Sequence, residues 1–246
     1  MLRLATFLCP ILLLSVATAS AQISFHLGVR GGLNRALTTV DAAGTQDHRP
    51  AYGYSSDKSA IYTWQVGAVA DVGFGKISLQ PALVFTQKGE RFHTFIEQGD
   101  LVYASSATTG TTRSNWLELP LNVVYTLHGD HGLQVFAGPY LALAVGGRQQ
   151  GTVDAQGSLI YTQPRDFDNA ISYGAGTTNR RLDAGISFGI GYRQGPVQVQ
   201  VGYELGLRNL HQPDPSLPAN NYYHDFNGDA AYNRVAQLTG TYFFSL

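Results

Sequence analysis

Nine ionisable side chains, His26, Arg30, Asp71, Lys88, Glu118, Asp183, Arg193, Glu204 and Arg208, fall at alternate positions within stretches that are otherwise apolar or small. Their cations and anions nearly balance. Charges withdrawn from water have to be paired and hydrogen-bonded. Gathered on one inner face, these nine would form a lumenal charge network that fills a narrow interior. The functional counterpart of such a network is a narrow ion path or a gated small-solute pore.

Other residues raise other chemistries. His93 and Ser114 could supply the base and hydroxyl nucleophile of an enzyme acting on lipid, which needs both groups at one rim. Neither lies in a recognisable motif, and loop histidines and serines are common. Asp225-Phe226-Asn227-Gly228-Asp229, with His211, Asp214 and His224 nearby, clusters carboxylates as a calcium loop does. It lacks the D-x-[DN]-x-[DN]-G spacing and the distal glutamate, and an Asn-Gly turn with solvated acids accounts for it. Gly28, Gly31 and Gly32 precede no helix, so they make no phosphate-binding loop. In a curved sheet they would ease curvature or interior packing. The Gly-, Gln- and Thr-rich stretch 147–181 carries no cofactor signature. The expectation is therefore a protein without catalytic residues, cofactor or metal, and not an enzyme.

The elements that would position the charges are read from a period of two. Val197 to Arg208 places Val197, Val199, Val201, Tyr203, Leu205 and Leu207 on one face and polar or small residues on the other. Leu182 to Arg193 does the same, and Gln194-Gly195-Pro196 joins the two as a tight turn. Ile23 to Gly32, Tyr62 to Val72, Ile77 to Lys88 and Trp116 to Leu127 also alternate. Leu133 to Val145, with Phe136 and Tyr140 inward, and Val235 to Leu246, with Leu238, Tyr242, Phe244 and Leu246 outward, alternate less clearly. Segments of about ten residues with this pattern have one face in lipid and the other in a lumen.

The connections between these eight segments alternate in length. Gly73 to Lys76, His128 to His131 and Gln194 to Pro196 are short. Asn34 to Ala60, Arg91 to Thr112, Gly147 to Arg181 and Asn209 to Tyr232 are long. That asymmetry fits an all-β, eight-stranded antiparallel up-and-down transmembrane β-barrel with short periplasmic turns and four long extracellular loops. Tyr62, Trp64, Trp116, Tyr192 and Tyr242, near strand ends, fit aromatic girdles at the lipid headgroups. An interior of eight strands is about wide enough to be filled by its own side chains.

Composition agrees. Charged residues are 13% of the chain, against roughly 25% in an average globular protein, and there are 28 glycines and 14 tyrosines. The longest uncharged apolar stretch after Gln22, Gly132 to Gly147, contains Pro139 and several glycines and cannot be a spanning helix. Arg3, the apolar run Leu4 to Val16 and Ala19-Ser20-Ala21 form a secretory signal peptide over residues 1–21, leaving a barrel domain over 22–246. Cys9, the one cysteine, lies in the removed part. Without Arg3 the chain holds 15 Lys and Arg against 17 Asp and Glu, which suits no nucleic-acid partner. The expected location is the outer membrane of a Gram-negative cell, with outer-membrane lipids as neighbours.

Leu27-Gly28-Val29-Arg30-Gly31-Gly32-Leu33-Asn34, Leu117-Glu118-Leu119-Pro120-Leu121, Phe136-Ala137-Gly138-Pro139-Tyr140 and the stretch Asp183 to Leu210 together resemble the PorT-like outer membrane protein beta-barrel domain family. The resemblance covers nearly all of residues 22–246. It implies the barrel fold and, because one member is linked to a secretion system, an envelope or secretion-system protein partner. It implies no catalytic motif. The resulting expectation is a non-enzymatic barrel that displays its loops for binding or envelope assembly, with a small porin-like channel as the alternative and a lipid-modifying enzyme as a more distant one.

Overall fold

A computed structural model describes residues 23–41, 52–99, 103–129, 131–157, 160–161, 163–212 and 230–244. The proposed signal segment, Cys9, Leu246 and the Asp225 to Asp229 cluster lie outside them. Ten β-strands are present among the described residues: β1 (Ile23–Asp41), β2 (Tyr52–Phe74), β3 (Ile77–Gln98), β4 (Ala104–Thr126), β5 (Gly132–Gly157), β6 (Ile160–Tyr161), β7 (Arg165–Ala170), β8 (Leu182–Gln194), β9 (Val197–Gly206) and β10 (Ala230–Phe244). All pair antiparallel in a single sheet. Its neighbours run β4, β3, β2, β1, β10, β9, β8, β5, and β4 pairs with β5 as well, so the sheet returns on itself. Between the ends of the chain, β1 and β10 pair from Leu27↔Phe244 to Asp41↔Ala230.

Alternation decides which side chains face in. On β4, Leu117, Leu119, Leu121, Val123 and Tyr125 are exposed while Trp116, Glu118, Asn122, Val124 and Thr126 are buried. Phe136 and Tyr140 face inward from β5, and Leu238, Tyr242 and Phe244 face outward from β10. The outer surface is thus apolar and the inner one polar, the reverse of a water-soluble fold.

The interior closes by setting aromatic rings against glycines. A Cβ on Gly189 would come within 2.7 Å of Phe136 Cζ, and one on Gly185 within 2.7 Å of Tyr140 Cε1. Gly202, paired with Gly189, flanks the same Phe136 ring. These glycines leave the space that the rings occupy, an arrangement also known from aromatic rescue of sheet glycines.

Three prolines interrupt the wall at one level. Pro81 pairs with Leu121 and Pro120 with Tyr140, and the ladder resumes only at Val84↔Glu118 and Val123↔Ala137. On the outside, around Pro81, Pro120 and Pro139, lies an open apolar groove of about 920 Å³. It opens on the lipid face, and Tyr140 and Gly185 form part of its lining.

Three expectations from sequence need correction. Much of what alternation left as long loops is strand: β2 begins at Tyr52, β3 runs to Gln98, β4 starts at Ala104 and β5 reaches Gly157, with β6 and β7 paired to β5 beyond it. Thr- and Ser-rich segments such as Ala104 to Ser114 form strands readily, but with water on both sides they lack the apolar/polar alternation that marks a lipid-facing strand. Trp116 is no girdle residue. It is 2% exposed and points inward, whereas Tyr62, Trp64, Tyr192 and Tyr242 face out as expected. The described residues also hold two strands beyond the expected eight, β6 and β7, which pair with β5 alone.

Filling the Gly189 space tests the packing. Gly189→Val should destabilise the barrel by about 1–3 kcal/mol through overpacking, seen as a lower temperature at which the unboiled form loses its fast gel mobility. Gly31→Val, on the outer face with no atom nearer than 4.0 Å to the added Cβ, should leave that temperature nearly unchanged.

Candidate functional site: the filled lumen and its covered mouth

Six strands meet at the centre of the interior. Lys88, from β3, is fully buried, with Nζ 2.6 Å from Glu118 Oε2 on β4 and 2.8 Å from Glu204 Oε2 on β9. The Tyr140 ring of β5 lies under the same ammonium, 4.5 Å from its centroid. Tyr140 Oη donates to Asp183 Oδ2 of β8 at 3.2 Å, and Asn233 Nδ2 of β10 donates to the same oxygen at 2.8 Å. Gln237 Nε2, also of β10, donates to Glu204 Oε1. One cation therefore sits against two carboxylates, and neutral donors reach Glu204 Oε1 and Asp183 Oδ2, while Asp183 Oδ1 is buried without a hydrogen-bond partner among the described residues.

A second cluster lies toward the short turns. Arg193 Nη1 is 2.6 Å from Asp71 Oδ2, and Gln80 Nε2 donates to Asp71 Oδ1 at 3.0 Å. Gln80 and Gln198 exchange amide hydrogen bonds of 3.1 and 3.2 Å across the interior. Arg193 also lies 4.6 Å over the Phe243 ring. Between the clusters, Arg30 donates from Nε to Thr241 Oγ1 and from Nη2 to Gln200 Oε1, both at 3.1 Å. Above them, Gln65 Nε2 donates to Asn34 Oδ1 and Asn34 Nδ2 to Thr86 Oγ1, each at 2.9 Å.

Little space remains. The void bordered by Arg30, Glu118, Gln200 and Glu204 measures about 10 Å³, room for one water at most. A hollow of about 70 Å³ near Asp71 and Arg193 opens at one end, and one of about 80 Å³ near Trp116 and Asn233 lies at the other.

The hollow near Trp116 lies beneath backbone. Residues 171–181, leading into β8, cross the mouth and meet residues 207–212, which leave β9. Tyr173 Oη donates to Ser114 Oγ at 2.7 Å, and its ring stands edge-on to Trp116, centroids 5.9 Å apart. Burial there pushes the Tyr173 hydroxyl above the usual tyrosine range, the Ser114 hydrogen bond opposing. Arg180 Nε donates to the His211 carbonyl at 3.1 Å, and Gln212 Nε2 donates to the Gly174 and Thr177 carbonyls at 2.8 and 2.5 Å. Gly174 and Gly176, at φ +100° and +77°, make the turn that only glycine enters easily.

Of the nine charges expected in the lumen, Arg30, Asp71, Lys88, Glu118, Asp183, Arg193 and Glu204 are buried there. His26 stands at the short-turn rim, its side chain one-third exposed, with Nδ1 3.7 Å from Asp71 Oδ2. Arg208 is a correction: β9 ends at Gly206, the chain bends away, and Arg208 is exposed beside the outer apolar groove. The His93 and Ser114 pairing also fails. His93 pairs with Thr109 and shares a 2.8 Å hydrogen bond with it on the outer face, while Ser114 pairs with Lys88 and turns inward. Five strand positions separate them, about 16 Å at strand rise. Counting charges missed Tyr140, Gln80, Gln198, Asn233 and Gln237; their parity with the buried charges was the available signal. Among the described residues no group of three or more His, Cys, Asp or Glu could hold a metal ion.

A family model described as "Outer membrane protein beta-barrel domain" matches residues 19–212. No curated protein matches the sequence. Similar solved structures include the attachment invasion locus protein Ail of Yersinia pestis, at 9% identity over 90% of this chain and 99% of that one with a TM-score of 0.38. Neisserial surface protein A stands at 11% identity over 89% and 97%, also with a TM-score of 0.38. The translocator domain of the autotransporter NalP from Neisseria meningitidis stands at 12% over 89% and 88%, with 0.27.

The central triad should behave as one unit. Lys88→Met leaves two buried carboxylates without their cation and should cost about 3–5 kcal/mol, read as a lower urea midpoint for the barrel in detergent. Adding Glu118→Gln to that variant should restore part of the loss, because one of the two stranded charges is then gone.

Proposed function

Since the chain belongs to the outer membrane protein beta-barrel domain family, with the matched model covering most of its length, we propose that this outer-membrane protein is a plugged barrel whose task is display rather than transport or catalysis. Its spanning wall is the eight strands β1–β5 and β8–β10. The strands β6 and β7 pair with β5 alone among the described residues, which supports leaving them outside the membrane. The short turns face the periplasm, and the four long connections face outward. Residues 1–21 act as the cleaved export signal of a Gram-negative envelope protein.

The observation that carries this reading is the lumen. Among the described residues, an ammonium held by two carboxylates, the Asp71–Arg193 pair and a central void of about 10 Å³ support a lumen filled by its own side chains. A rigid, filled barrel suits presentation of its outer parts. Those parts are considerable: β2 to β5 rise well past the apolar band as a polar sheet, with β7 on its flank. The surface offered is rich in Thr, Ser and Gln. The PorT-like resemblance favours an envelope or secretion-system protein as the partner, bound by this raised sheet.

Two measurements test the proposal. Reconstituted in planar bilayers, the protein should give no conductance above baseline; reproducible single-channel steps would establish the narrow-pore reading instead. A photo-crosslinker at Thr109, on the raised sheet, should capture a discrete envelope protein in intact cells, whereas the same crosslinker at Leu133, on the apolar face, should not. Equal capture from both positions would remove display as the function.

A further inference from the structure

Across the outer face of the wall, just above the apolar band, two arginines stand directly opposite each other on neighbouring strands. Arg113 of β4 and Arg148 of β5 are direct cross-strand partners, both exposed. Like charges placed directly opposite destabilise an antiparallel pair. Arg91, exposed on β3, pairs with Thr111, the next outward residue above Arg113. Arg148 is 3.1 Å from Asp168, but in an exposed contact of the kind that contributes little. Among the described residues no carboxylate lies within ion-pair distance of Arg91 or Arg113. Among the described residues, then, this cationic cluster meets a single carboxylate, the exposed Asp168.

The cluster also has a cavity and a polarity gradient. Gly89, opposite Arg113, presents no side chain, and between Gln87, Arg113, Asn115 and Arg148 lies a hollow of about 150 Å³. One outward step down the strands, Gln87 Nε2 donates to Asn115 Oδ1 at 3.0 Å. One step further the outward residues turn apolar, with Leu117 on β4 beside Phe85. A bulge in β5 opposite Asn115 and Trp116 adds Val145, 50% exposed, to that apolar strip. Trp64 packs against Phe85 with ring centroids 5.5 Å apart, marking the headgroup level. From top to bottom the order is guanidinium, amide, hydrocarbon.

That order matches one ligand chemistry. We propose that the outer face of β3, β4 and β5 around Arg113 and Arg148 binds the headgroup phosphate of a phosphorylated outer-leaflet glycolipid, with its acyl chains lying down the strip below. Guanidinium groups bind phosphate in a two-toothed, charge-assisted fashion that lysine cannot reproduce. The paired amides Gln87 and Asn115 face the sugar and ester oxygens that adjoin such a phosphate. The strip is part of the wall's lipid face, so a free anion would use the arginines alone. A lipid uses both. The site rests on the membrane orientation proposed above, since it requires the long-connection end to face the outer leaflet.

The test uses the full mature protein in bilayer nanodiscs of neutral phosphatidylcholine containing a trace of fluorescent, phosphorylated lipid A. Wild-type protein should concentrate the probe, and the Arg113→Gln/Arg148→Gln variant should bind it roughly tenfold or more weakly, the loss expected for removing charge-assisted hydrogen bonds. Arg91→Gln should give a smaller loss in the same direction, and Arg165→Gln, on the far end of β7, none. Each variant is checked for unchanged unboiled gel mobility; all these positions are exposed, so folding should be preserved. Equal binding of dephosphorylated lipid A, or an unaffected double variant, overturns the site. Full displacement by soluble glucosamine phosphate overturns the lipid as its source. A wild-type protein that does not enter the bilayer overturns the membrane reading and the site with it, whereas one that inserts and shows no phosphate preference overturns the site alone.

Discussion

Hydrocarbon offers no partner to a peptide N–H or C=O, and the whole molecule is arranged around that fact. A sheet in lipid must have no open edge. Closure here depends on β10 returning to β1 along a register that runs from Leu27↔Phe244 to Asp41↔Ala230. The proline row at Pro81, Pro120 and Pro139 is the exception that respects the same rule. A proline removes the donor altogether, so the interruption reduces the number of backbone groups needing a partner. Its trace is a groove in the lipid face.

Closure over so few strands makes a narrow interior, and narrowness determines what may line it. Rings fit only where glycines face them, as Phe136 faces Gly189 and Gly202. Charges fit only in company. Lys88 joins β3 to β4 and β9, Tyr140 carries the contact to Asp183 on β8, and Asn233 and Gln237 tie in β10. The polar interior is therefore a cross-brace between strands distant in sequence. Buried ion pairs are weak evidence for net stability compared with an apolar core. They do specify register, because a shift of one residue would turn every one of these side chains toward lipid.

Beyond the membrane the constraint relaxes and the wall behaves differently. Strands β2 to β5 continue upward as a sheet with polar side chains, while β8 and β9 end at the barrel and their neighbouring segments fold across the mouth onto Trp116. Among the described residues the wall is thus raised on the β2 to β5 side and covered beside β8 and β9. Between these two regimes lies the belt where guanidinium groups, amides and aromatic rings meet the apolar band.

Amino-acid order alone determined the spanning wall. Lipid on one face and packed side chains on the other impose a strict period of two, and segments such as Val197 to Gly206 carry it openly. The same parity put Lys88, Glu118 and Glu204 on the inner face before any partner was known. It failed at Arg208, where the strand stops and parity loses its meaning, and at Trp116, whose aromatic character suggested a girdle although its parity pointed inward. Tertiary structure alone decided which inner charges touch, that the Ser- and Thr-rich stretches with water on both faces are strands, and that Tyr173 reaches Ser114 across 59 residues. Periodicity reports the environment of each face of one strand, whereas these contacts depend on where a different strand, tens or hundreds of residues away, has been placed by closure of the sheet.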